Sequence, residues 1–218
     1  MFRKTARKYY FSVEGQTEQW YLRWLAAKVN GMPEAKYRVV IDSKVQRNPL
    51  KRVKTMNILS ETEVTHWVDY ESNEEMHVEG FTNTIDLLKR ACKLGKHVKY
   101  HLGYSNLTFE LWMILHKTEC NSLFTYGDEY LRLINESYDE NFSSLTQYKQ
   151  EKNFKRCLGK INLTDVVNAV NRSREIMQRN AENSVECRHR GYKYYKVNPS
   201  LSVWESIEKI LTDCMLIS

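Results

Sequence analysis

The chain has 218 residues, of which 42% are hydrophobic and 28% charged, with 14 Tyr and 3 Pro, a balance that excludes a disordered chain and suffices for one large packed body. Lys and Arg number 33 against 27 Asp and Glu, a net charge of +6 that suits a polyanionic partner without requiring one. The five cysteines, Cys92, Cys120, Cys157, Cys187 and Cys214, contain no C-x-x-C pair, which argues against zinc or redox chemistry and for reduced thiols, most of them in the core. No stretch of about 18 apolar residues occurs, and the basic N-terminal MFRKTARKYYF lacks the apolar run of a signal peptide, so a cytoplasmic protein with no membrane segment is expected.

In chain order, the β-rich run Lys8 to Val13 leads through Gly15 into a helical pattern over 17–30. There Trp20, Tyr21, Trp24 and Leu25 recur on one face and Thr17 is a candidate N-cap. A second strand is predicted from Tyr37 through 44, followed by a helix over 51–59. A third strand, EVTHWVDYES, ends in acidic residues and precedes a polar loop and a helix over 82–95 that Gly95 can terminate. The fourth unit runs from HVKYHLGYS straight into LTFELWMILHK. Four such units predict an α/β fold: a mostly parallel sheet flanked by helices and joined by right-handed crossovers. After about Glu119 the strand signal fades, and helices are predicted over 128–137, 163–180 and 200–211. Without an internal repeat or a Gly/Ser linker, an α/β core over 1–119 and a mainly helical extension over 120–218 are expected to pack as one body.

In an open parallel sheet ligands gather at the carboxyl ends of the strands. Glu14 falls where the first strand ends, and Gly15 gives the backbone freedom for a tight turn into the helix; an exposed loop acid is the plain alternative. Asp69 and Glu71 stand two apart at the end of the third strand, where a period of two puts both carboxylates on one face. Two carboxylates there suit a hard cation that completes its shell with water and phosphate, although acids after a strand are also common loop chemistry. Glu110 opens an apolar helix, where the dipole favours a carboxylate, but its neighbours Phe109, Leu111 and Trp112 suggest burial, which an acid tolerates only with a partner. His116, at the end of the same helix, reads as a packing or C-terminal dipole residue and not a ligand. In CRHRGYKYYK the cations Arg188, His189, Arg190, Lys193 and Lys196 alternate with Tyr192, Tyr194 and Tyr195, a pattern that fits either phosphate contact with base stacking or a half-exposed strand. No phosphate loop, dinucleotide fingerprint, nucleophile elbow or H-E-x-x-H motif is present.

Taken in order, FSVEGQTEQWYLRWL, WVDYES and YSNLTFELWMILH resemble the RloB-like family of Toprim-related proteins linked to restriction and phage defence. The first is similar to the family's E-G-x-T-E signature, the second to its D-x-D strand end, the third to its S-N-P-x-F-E-L-W-x-x-x-H segment, and KVNPSLSVWESIEKIL to its C-terminal N-P-S-T-x-V. Two departures stand out: Glu71 replaces the second Asp, and Leu107 replaces Pro. The resemblance implies a Toprim-like core with Asp69 and Glu71 holding Mg²⁺ or Mn²⁺ beside a scissile phosphate. It implies Glu14 as general acid or base or a further metal ligand, Glu110 as a third-motif acid, and Gly15, Ser105 and Asn106 as supporting residues; Glu18, one helical turn after Glu14, either supports the site or simply caps the helix. It further implies a nuclease acting on RNA, tRNA included, or on DNA, as an effector of anti-phage defence beside an ATPase partner. Two other classes stay open: a nucleic-acid-binding or scaffolding subunit with a vestigial site, and a module that binds only proteins through its C-terminal helices. A homodimer is the general expectation for a soluble oligomer.

Overall fold

The computed structural model describes residues 4–94 and 97–217. Its frame is set by β1 (Ala6–Val13), whose aromatic and β-branched residues suit a strand and whose last three, Phe11, Ser12 and Val13, are all buried, as a central parallel strand covered on both faces requires. Then follow α1 (Gln16–Asn30), β2 (Arg38–Val45), α2 (Pro49–Lys54), β3 (Thr62–Asp69), α3 (Glu75–Ala91) and β4 (Val98–Asn106). The four strands pair in parallel in the order β2-β1-β3-β4. The chain steps from β1 outward to β2, then returns past β1 to β3, so the crevice between the ends of β1 and β3 is the topological switch point where open α/β sheets bind ligands.

Right-handed crossovers on the two sides of that point place their helices on opposite faces, and the core follows. Tyr21, Leu22, Leu25 and Val29 of α1 pack with Phe11, Val13 and Trp67. On the other face Val53 of α2 and Leu88 and Ala91 of α3 pack with Val64, Val98 and Tyr100. The expected α/β class, with a mostly parallel sheet and a helical C-terminal half, is what the structure shows.

The C-terminal half comprises α4 (Glu110–Leu115), a short 3-10 turn (Gly127–Glu129), α5 (Tyr130–Tyr138), α6 (Leu145–Tyr148), α7 (Glu151–Gly159), α8 (Leu163–Asn183), β5 (Cys187–His189), β6 (Tyr192–Tyr194), β7 (Ser200–Leu201) and α9 (Val203–Asp213). Its helices lie on the α1 face, where Ile134, Tyr148, Phe154, Val170 and Ile207 share one core with α1. Three expectations need correction. Strands do not end with β4: β7 adds antiparallel to its edge, and β5 and β6 form a separate hairpin turned by Arg190 and Gly191, both at positive φ, the backbone that a two-residue hairpin loop demands. The polar loop before α3 is largely helix, since α3 begins at Glu75. Helix α1 begins at Gln16 with Gly15, not Thr17, as N-cap. Gly95, the expected stop of α3, lies outside the described residues. Among the described residues no helix is long and apolar enough to cross a membrane, and all five cysteines are free, with Cys120, Cys157 and Cys214 buried.

Candidate active site at the ends of β1 and β3

Glu14 and Asp69 meet at the switch point. The Asp69 backbone N–H donates to Glu14 Oε2 at 3.0 Å, so the end of β3 fixes the side chain that leaves β1. Glu18, one turn into α1, is buried and folds back on the same corner: Oε1 accepts from the Gly15 N–H at 3.1 Å and Oε2 from the Thr17 hydroxyl at 2.6 Å. Gly15 contributes room at the Glu18 carboxylate and not conformational freedom. Its φ of −133° is ordinary extended backbone, but a Cβ there would stand 2.9 Å from Glu18 Oε2. Glu110, at the first turn of α4, is fully buried, and its Oε1 accepts no hydrogen bond. Its counter-charge is Lys149, whose Nζ lies 3.2 Å from Oε2.

These groups line or underlie a cleft of about 450 Å³ whose wall includes Glu14, Gly15, Thr17, Glu18, Arg47, Asp69, Glu71, His77, Thr108 and Lys149. Burial raises the Glu14 carboxyl above the usual carboxylate range; the Asp69 N–H and Arg47 oppose the shift, and Glu18 and Glu71 add to it. Asp69 is pushed well up by burial and then by Glu18, Glu14 and Glu110, with Lys149 opposing. Glu18 is also raised, by burial first, against the Thr17 hydrogen bond. Burial would lower Lys149, but Glu110 and Asp69 outweigh it and hold the ammonium above its ordinary value. Several acids in a poorly solvated corner thus share one close cation, the arrangement in which like charges drive pKa values upward.

Glu71 departs from the expected geometry. Strand β3 ends at Asp69, and Glu71 has a left-handed φ of 61°, so the alternation that would have aligned the two carboxylates does not extend to it. Its Oε2 instead lies 3.1 Å from His77 Nε2. In the neutral ring that leaves Nδ1 to accept from the Ser72 hydroxyl at 2.7 Å. Glu71 and His77 therefore form one rim of the cleft and Glu14 and Asp69 its floor.

Among the described residues no three His, Cys, Asp or Glu side chains stand ready to hold a metal ion. The reason is visible in the partners: Glu14 is engaged with the Asp69 N–H, Glu18 with its own helix start, and Glu71 with His77. The donor set is nevertheless all oxygen, and the buried Glu110 carboxylate has Lys149 as its close partner, which leaves Oε1 without a hydrogen bond. That fits a hard cation held by one or two carboxylates together with water and substrate phosphate, not a closed protein cage.

A family model described as RloB-like protein matches residues 9–210. The chain belongs to the RloB-like family. No curated protein and no solved structure matches it. The match spans β1 to α9 of this RloB-like chain and so takes in every side chain of the cleft.

The remaining candidates of the RloB-like chain lie elsewhere. Ser105 is paired in register with Asp69 across β3 and β4, and its carbonyl accepts from the Tyr70 N–H, so it positions the strand end. Asn106 clasps the C-terminal segment: Nδ2 donates to the carbonyls of Lys196 and Val197 at 3.1 Å each, and its own carbonyl accepts from the Tyr130 hydroxyl. Neither lines the cleft. Nor does the β5–β6 hairpin, and its cations are occupied. Glu186 holds Arg188 at 2.6 Å and Lys193 at 3.0 Å, and Asp86 on α3 holds Arg190 at 2.5 Å and His189 at 3.0 Å. The hydroxyl of Tyr192 donates to the Tyr100 carbonyl, and Tyr194 packs on Tyr70, Phe81 and Tyr104, so these rings are not offered for stacking. His116 is the packing residue expected: Nδ1 donates to the Trp112 carbonyl, Nε2 accepts from the Tyr21 hydroxyl, and burial pushes its pKa down to about 4. Sequence reasoning missed Lys149, Arg47 and His77. Lys149 carries no local signal, since it reaches the cleft only because Leu145 and Tyr148 seat α6 in the core. Arg47 could have been found, because it follows β2 at the same sheet end as Glu14.

Proposed function

We propose that the protein is a metal-dependent nuclease of the Toprim-related kind, cleaving phosphodiester bonds of RNA or DNA in the cytoplasm with Mg²⁺ or Mn²⁺ in the cleft between β1 and β3. The observation that carries this reading is the gathering of Glu18, Asp69 and Glu110 about Lys149 at the switch point, with Glu14 held by the Asp69 N–H and facing Arg47, and with the Glu14, Glu18 and Asp69 carboxyls driven up by burial and then by neighbouring acids. Asp69 and Glu14, which line the cleft, would hold the cation, with Glu110 and Lys149 setting the charge beneath them; the cation's contribution when bound is to offset charge on a phosphate oxygen and acidify a coordinated water. Glu14, with its raised pKa, exchanges a proton nearer neutral pH than an exposed glutamate does, which suits a general acid or base, and the Asp69 N–H fixes the oxygen it presents. Arg47, at the rim, meets the incoming phosphate. A role as effector in anti-phage defence beside an ATPase partner, with tRNA among the targets, belongs to the same reading and rests on the family resemblance alone.

The test is cleavage of mixed RNA and DNA by purified wild type, Glu14→Gln and Asp69→Asn with Mg²⁺ or Mn²⁺. Wild type should cut and each variant should lose about 10²-fold or more; equal cleavage by all three removes the assignment. A second reading, a nucleic-acid-binding subunit without catalysis, is favoured by the pairing of Glu71 with His77 and the lack of three assembled ligands among the described residues. Retention of nucleic acid with intact ends in the presence of either metal would support it.

A further inference from the structure

A nuclease needs a surface that holds the phosphodiester backbone beside its cleft, and the hairpin's cations are already paired. A different run of cations leads out of the cleft. Residues 44–60 contain five basic residues and no acidic one. Arg52 is buried and paired with Asp42 at 2.8 Å, which anchors α2. Lys44, Arg47, Lys51 and Lys54 are exposed, and among the described residues none of the four enters an ion pair. Lys51 and Lys54, three apart on α2, share its outer side. The Asn48 side chain caps that helix through the Lys51 N–H, and Val53 seats it.

Arg47 ties this strip to the site, since it lines the carboxylate cleft with Glu14. Lys44, three residues before it, lines a second groove of about 530 Å³ with Lys8, Tyr10, Asp42, Arg52 and Asn57, in which Asp42 already faces Lys8 and Arg52 and leaves Lys44 without a carboxylate partner among the described residues. Among the described residues β2 is the edge strand of the sheet, so no further strand pairs beyond Lys44. We propose that Lys44, Arg47, Lys51 and Lys54 form the docking surface for a nucleic-acid phosphate backbone, laid so that the strand runs past Arg47 into the cleft. The proposal rests on the nuclease reading for the identity of the ligand. Its chemistry, unpaired cations in series against a polyanion, is that of sequence-independent backbone binding, which RNA and DNA share.

The test is fluorescence anisotropy of labelled single-stranded RNA, single-stranded DNA and duplex DNA with the full chain, in chelator and without added metal, between about 50 and 200 mM salt. The triple variant Lys44→Ala, Lys51→Ala, Lys54→Ala should weaken binding by about tenfold or more at low salt, and should flatten the plot of log affinity against log salt by about 2 to 3. The equally charged control Arg188→Ala, Arg190→Ala, Lys193→Ala should bind as wild type. The loss should have the same size on the single-stranded RNA and single-stranded DNA arms. Absence of binding by wild type, wild-type binding by the strip variant, or equal losses in both triples overturns the proposal. Because no metal is present, the two readings fail separately: binding through the strip without cleavage in metal removes the nuclease and keeps the surface. Cleavage by a strip variant that binds normally removes only the surface.

Discussion

In the β5–β6 hairpin Arg188, His189, Arg190 and Lys193 each face a carboxylate, whereas in the cleft Glu18, Asp69 and Glu110 share Lys149, and Glu14 has Arg47 at the rim. The acids of the two regions titrate in opposite senses. Hydrogen bonds from Lys193 and Arg188 draw Glu186 down, and Arg190 and then His189 draw Asp86 down; burial first, and then neighbouring carboxylates, drive Glu14, Glu18 and Asp69 up. Paired surface charges satisfy one another and contribute little to stability. Buried acids facing acids cost stability, and such perturbed groups concentrate where a ligand or a reaction uses them. The more basic-looking segment is therefore the electrostatically quiet one.

The largest effect should come from Asp69→Asn, which removes one of the opposed acids. Cleavage should fall by about 10²-fold or more, while the melting temperature at neutral pH should hold or rise, seen by pairing an activity assay with calorimetry. A parallel fall in both would mean that Asp69 is structural. Next is Gly15→Ala, whose Cβ would press on the buried Glu18 carboxylate; overpacking of this kind costs about 1–3 kcal/mol, readable by denaturant unfolding.

The pH dependence sharpens the contrast further. A carboxyl whose folded pKa exceeds its unfolded value lets the folded state hold the extra proton between the two, so its stabilisation is full at low pH and is lost as pH climbs through that window. For Asp69 the window opens near the ordinary value of about 4 and extends upward. The stability of Asp69→Asn relative to wild type should thus be greater at about pH 7 than at about pH 5, checked by melting both proteins across that range. The hairpin acids carry the reverse sign, with stability present above the unfolded value and lost as pH falls. The smallest effect belongs to Arg188→Ala with Lys193→Ala, where stability should move by no more than about 0.5 kcal/mol and cleavage should not change.

The parallel strands were legible because aromatic and β-branched runs recur between helical patterns, and Glu14 and Asp69 were legible because ligand sites follow strand ends. Glu71 was not, since one left-handed residue breaks the period of two on which its placement depended. The quiet hairpin was illegible for another reason: Asp86 reaches Arg190 from more than a hundred residues away, so local alternation of Arg and Tyr could not reveal the pairing. Strand β7 spans two residues and exists through its pairing with Ser105 and Asn106, where local propensity carries no signal.

The most direct measurement is the melting temperature of metal-free protein at neutral pH as Mg²⁺ is titrated into wild type and Asp69→Asn. A ligand that binds only the folded state stabilises it by mass action, so wild type should show a concentration-dependent rise that the variant lacks. The same rise in both, or none in either, would contradict a cation-binding cleft at the ends of β1 and β3.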